Sequence, residues 1–181
     1  MRKRMHWAGL GIAGLVVVLA VYGLSQYGPP EPPQPPQPPT PQQQSGVTVL
    51  TATLTVAQEV PPPNAATPPT ARGAAVLLFD PATNTLNFSL AYTGLSGAAV
   101  AAHFHTGAVG AAGPVVQTIC GPQNQNPLLG ACPASNNGFL TGSWSVPANL
   151  AQELLNSGLY MNVHTQLNPA GEIRGQVAPL P

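Results

Sequence analysis

Residues 158–176, GLYMNVHTQLNPAGEIRGQ, constrain the fold more than any other stretch. Two short runs, Leu159–His164 and Glu172–Val177, flank Asn168-Pro169-Ala170-Gly171. Each run alternates in period two, the mark of a strand with one buried and one wetter face. Asn-Pro followed by Gly is turn chemistry, so the unit reads as an antiparallel hairpin. Leu159, Met161 and Val163 share one face, and Tyr160, Asn162 and His164 the other. In the second run Ile173, Gly175 and Val177 oppose Glu172, Arg174 and Gln176. The hairpin thereby gathers a His, a Glu and an Arg in a chain whose charged residues amount to only 6%.

That scarcity excludes a function class. Three of the five basic residues, Arg2, Lys3 and Arg4, stand at the N-terminus, and from Gly46 onward only Arg72 and Arg174 remain. Binding nucleic acid needs clustered Lys or Arg to displace phosphate counterions, so no nucleic-acid partner is expected. The same N-terminal cations precede an uncharged apolar run over residues 7–24. Residues 1–27 therefore read as a signal-anchor or a cleaved signal peptide. The length reaches the lower edge of a membrane span, and the positive flank keeps the N-terminus cytoplasmic if the segment stays as an anchor. Nine prolines between Pro29 and Pro41 make residues 28–45 a semi-rigid, extended linker.

The folded domain is expected over residues 46–181. Strands are predicted at Val47–Val56, Arg72–Phe79, Thr85–Tyr92, Ala98–His105, Pro114–Ile119 and Phe139–Val146, before the final hairpin. Ala148–Asn156 is the one predicted helix, with Pro147 ahead of it and Ser157-Gly158 ending it. Short strands between Gly/Pro turns, with one short helix, argue for an all-β fold: an antiparallel β-sandwich of the Ig-like, Greek-key kind. Core candidates include Val49, Leu54, Val76, Leu78, Phe88, Leu90, Phe104, Trp144, Leu154, Met161 and Ile173. Cys120 and Cys132, the only two cysteines, close a short polar loop. In an exported chain such a pair forms a disulfide.

Four stretches carry a family resemblance: Ala57–Pro62 (AQEVPP), Ala102–Gly107 (AHFHTG), Gly113–Val116 (GPVV), and the hairpin from Gly158 to Gln176. Together they resemble the CHRD domain, the repeat first described in chordin and found also in bacterial exported proteins. The resemblance spans about residues 47 to 178. It implies a β fold and an extracytoplasmic location, at the cell surface, in the periplasm or secreted, more than a particular activity.

Outside the N-terminal segment the histidines are His103, His105 and His164. Residues i and i+2 of a strand share a face, so His103 and His105 project together while Phe104 points to the core. With His164 from another strand they make a three-nitrogen set suited to Cu(II) or Zn(II). Asn162, Glu172 and Arg174 are the candidates to stand behind them. The pattern is similar to the copper side of Cu/Zn superoxide dismutase. The fourth copper histidine and the zinc ligands of that enzyme have no counterpart here, which argues against dismutase chemistry. The same residues also fit a structural polar cluster, with Glu172 and Arg174 as an ion pair. Three functions follow: a membrane-tethered module binding copper or zinc; an adhesion or scaffold domain, for a protein or cell-envelope partner, with structural histidines; and a copper oxidoreductase. No nucleophile-elbow sequence or phosphate loop is present, and no catalytic residue is assigned.

Overall fold

The computed structural model describes residues 46–180. The expected membrane segment and the Pro-rich linker lie outside those residues. Among the described residues no helix is long and apolar enough to cross a membrane.

The elements are β1 (Thr48–Thr55), β2 (Arg72–Asp80), β3 (Thr85–Thr93), β4 (Ala99–Thr106), β5 (Val115–Cys120), β6 (Gly138–Ser145), α1 (Ala148–Leu155), β7 (Leu159–Thr165), β8 (Ile173–Gln176) and β9 (Ala178–Pro179). Each expected strand forms within a residue or so of its predicted bounds, and β9 is an addition. Pairing is antiparallel along one path, β5-β4-β7-β8-β1-β2-β3-β6, with β9 on β1. The path turns at β8–β1, where Thr55 opposite Arg174 is the only registered pair. Gly175 makes that junction possible, because a Cβ there would come within 2.6 Å of the Thr53 carbonyl oxygen. Beyond the turn the two halves face each other. Phe104 of β4 meets Phe88 of β3 edge-on, with centroids 5.5 Å apart, and stacks on Trp144 of β6 at 5.2 Å. The expected antiparallel β domain with one short helix therefore forms, its two layers being halves of one nearly barrel-like sheet.

The core confirms part of the expected set and corrects the rest. Leu54, Phe88, Leu90, Phe104, Trp144, Leu154, Met161 and Ile173 are buried. Val49, Val76 and Leu78 are exposed, while Leu50, Leu77 and Phe79 take the interior. Strand parity explains the exchange: β2 reads RGAAVLLFD, apolar on both faces, so hydrophobicity alone leaves its inward face undecided. The pairing of Leu77 with Leu50 and Phe88 settles it.

The wetter face expected in the hairpin is also corrected. Every residue of β7 is buried. Its strand lies between β4 and β8, with loops over its outer side, so both faces leave solvent. The disulfide Cys120–Cys132 is formed, with a Cα–Cα distance of 4.9 Å.

Candidate metal centre

The site is built on one face of two neighbouring strands. In the β4–β7 register Ala101 opposes His164, His103 opposes Asn162, and His105 opposes Tyr160. Directly opposed and diagonal side chains of an antiparallel pair touch, and the small Ala101 leaves His164 room to lean on His103. Against β5 the register of β4 shifts between Ala102 and His103 and again between Phe104 and His105. Such irregularities re-aim side chains. One ring nitrogen from each of His103, His105 and His164 lies within 4.8 Å of the others, and each residue is 7% exposed.

Each ring has an oxygen acceptor on its outer side. His105 Nδ1 lies 2.9 Å from the Gly113 carbonyl oxygen and His164 Nδ1 3.1 Å from that of Pro169. His103 Nε2 lies 3.3 Å from Gln125 Oε1. An oxygen of this kind only accepts, so in the tautomer that uses these bonds each of these three nitrogens is the donor. A neutral imidazole has one N–H, so in that tautomer His103 Nδ1, His105 Nε2 and His164 Nε2 face one another as lone pairs. Asn162 Oδ1 joins them, 3.1 Å from His105 Nε2 and 2.9 Å from His164 Nε2. His103 Nδ1 is 2.8 Å from His164 Nε2. In that tautomer four acceptors converge, an arrangement that a cation satisfies; in the other, protons on the ring nitrogens fill it with hydrogen bonds to Asn162 and between His103 and His164.

Electrostatics keep the rings neutral. Burial lowers the pKa of all three, most for His164, which falls to about 4 under burial and the repulsion of His103 and His105. For His103 the bond to Gln125, and for His105 the bond to Gly113, offset part of the drop. Neutral imidazole is the form that ligates a metal. Metal–nitrogen bonds of about 2.0–2.1 Å at a tetrahedral angle set ligand atoms about 3.3 Å apart. The observed 2.8 Å contact and 4.8 Å limit bracket that value, so the rings need only small rotations.

The other expected residues divide. Asn162 is at the centre. Arg174, 1% exposed, acts at one remove: its Cζ stands 3.5 Å from the Tyr160 ring centroid, and Tyr160 stacks on His105 at 4.7 Å, 9° from parallel. Its Nη2 donates to the Ala108 carbonyl at 2.8 Å, and Nη1 is buried with no partner among the described residues. Glu172 is held elsewhere, and the suggested Glu172–Arg174 ion pair is not what its carboxylate makes. That group accepts from Ser96 N at 2.6 Å and Asn168 Nδ2 at 2.7 Å, and from the hydroxyls of Ser96 and Thr165. Burial raises its pKa, but those bonds outweigh burial and hold it below the usual carboxylate value.

Glu59 is the acid that sequence reasoning passed over. It is 4% exposed, and its Oε2 has no partner among the described residues. Burial raises its carboxyl to about 7, against the pull of the Val60 amide, the Arg174 charge and the Asn162 amide. With the nitrogen of Asn162 turned towards Glu59, its oxygen faces the rings. Gly171, at φ 136°, closes the pocket from the turn side: a Cβ there would sit 2.4 Å from the Glu59 carboxyl. The signal that could have found Glu59 is its rarity, an acid in a domain almost devoid of charge. Gln125 was also missed, since nothing in a polar loop marks one Gln from another.

The family model for the CHRD domain matches residues 50–177. No curated protein and no solved structure matches the chain. The similarity to the copper side of Cu/Zn superoxide dismutase is not borne out: the histidine group holds three rings, and an asparagine oxygen stands where a further ligand would be sought. The match covers β1 from Leu50, all of β2 to β8 and all three histidines, and the chain belongs to the CHRD domain family.

Proposed function

We propose that this CHRD domain is an exported binding module that holds one Cu(II) or Zn(II) ion on His103, His105 and His164. The observation that supports this best is the convergence of three ring nitrogens and Asn162 Oδ1, each ring with an oxygen acceptor behind it. Nitrogen donors without thiolate or carboxylate suit these two metals over Mg or Ca. The ion binds, and no reaction is assigned to it. Residues 7–24 tether the domain, residues 28–45 hold it off the membrane, and its partner is a protein or cell-envelope polymer outside the cytoplasm. The disulfide accords with that compartment. Connections that cross between layers, β3 to β4 and β5 to β6, support the Ig-like, Greek-key description of the fold.

An adhesion or scaffold domain with structural histidines is the second reading. It is favoured by the 2.8 Å contact between His103 and His164, which is a good hydrogen bond if one nitrogen keeps a proton. Titration of the purified domain with Cu(II) and Zn(II), against a His103→Ala/His105→Ala variant, separates the two. One ion per wild-type chain and none per variant supports the metal site; equal, low uptake by both supports the scaffold.

A further inference from the structure

We propose that Gln125 is the positioning residue of His103 and that the Cys120–Cys132 loop is the clasp that keeps it in place. The proposal rests on the metal reading above and asks how the site is kept open to a cation.

The three rings are not held alike. His105 and His164 are oriented by main-chain carbonyls, of Gly113 and Pro169. His103 is oriented by a side chain, Gln125, from an exposed loop. Gln125 ends a short 3-10 turn, Gln123–Gln125, after which Asn126 adopts a left-handed conformation at φ 49°. The loop folds back on β5 through Gly121 N to Gly130 O at 2.9 Å, Leu128 N to Thr118 O at 3.1 Å and Leu129 N to Ile119 O at 2.9 Å. The disulfide closes it at the base, and Leu128 packs on the core. The bridge adds a covalent tie to those bonds, and without it the loop regains the freedom that closure removes.

The position matters because His103 has two competing arrangements. With Gln125 Oε1 behind it, the ring keeps its hydrogen on Nε2 and offers Nδ1 to the site. Without that acceptor the hydrogen moves to Nδ1 and donates to His164 Nε2, already 2.8 Å away. That bond fills the site with a proton and removes two of its lone pairs. Gln125 thus selects the tautomer that accepts a metal, as oxygen partners behind ligating histidines do generally. The bridge supports it from a distance, so opening the disulfide favours the closed arrangement.

The test compares the full chain with Gln125→Met, which keeps the length and loses the acceptor, Gln125→Glu, which keeps an acceptor, and Cys120→Ser/Cys132→Ser. Cu(II) affinity is expected to fall about tenfold or more in Gln125→Met and in the double variant, and to hold in Gln125→Glu. Pulsed EPR of the copper-loaded protein should count three imidazoles in wild type and Gln125→Glu, and fewer in Gln125→Met. Nitrogen NMR of the metal-free protein should place the His103 hydrogen on Nε2 in wild type and on Nδ1 in Gln125→Met. Equal affinity and equal tautomer in wild type and Gln125→Met overturn the role of Gln125. A double variant that behaves as wild type overturns the clasp. Wild type that takes up no copper overturns the metal reading beneath, while the NMR comparison still decides what orients His103.

Discussion

Glu59 and the histidines show how burial sets chemistry residue by residue. A carboxyl raised to about 7 from its ordinary 4.5 binds its proton more tightly in the folded state than in the unfolded one. Its stabilising contribution is therefore complete below about pH 4.5 and is lost as pH rises through about 7. Glu59→Gln cannot ionise, so in chelator-treated protein its melting temperature relative to wild type should rise from pH 5 to pH 8; a difference that falls over that range contradicts the buried, poorly compensated carboxyl. At this scale the sequence was a partial guide. The i, i+2 spacing placed His103 and His105 on one face, and the hairpin alternation put Asn162 beside His164. Glu172 was misread because two-residue spacing cannot show that the chain leaves the strand before Ile173 and turns the carboxylate to Ser96, Thr165 and Asn168. Contacts from distant loops, such as Glu59 and Gln125, leave no local pattern.

Strands were legible where one face is polar and ambiguous where neither is. β3 alternates Leu86, Phe88 and Leu90 with Asn87 and Ser89, and its inward face was read correctly. β2 has no such contrast, and only its neighbours fix the parity. The parity is testable in adjacent residues. Leu77→Ala, at a fully buried position, should cost roughly 2–5 kcal/mol in chemical denaturation. Leu78→Ala, at a residue 42% exposed, should cost under about 1 kcal/mol. The opposite ranking would mean that β2 pairs one residue out of register. The face that carries Val76 and Leu78 is uncharged between Arg72 and Asp80, and it lies on the other layer from the histidines.

At the scale of the domain, the CHRD fold is a nearly closed sheet that gathers its buried charged residues, Glu59, Glu172 and Arg174, and its three histidines on the β4–β7–β8 side. The proposed topology puts that sheet outside the cytoplasm on a proline stalk. Membrane fractionation with N-terminal sequencing checks it: the anchored form should pellet with membranes and start near Met1, whereas a soluble product starting past Leu24 contradicts the anchor. The central claim is that three rings from two strands meet on one ion. Crystals of the domain grown with Zn(II) or Cu(II), measured at the metal absorption edge, test it most directly. The account predicts one anomalous peak, about 2.0–2.2 Å from His103 Nδ1, His105 Nε2 and His164 Nε2. A protein saturated with metal that shows no peak there, or a peak bound by other residues, would contradict it.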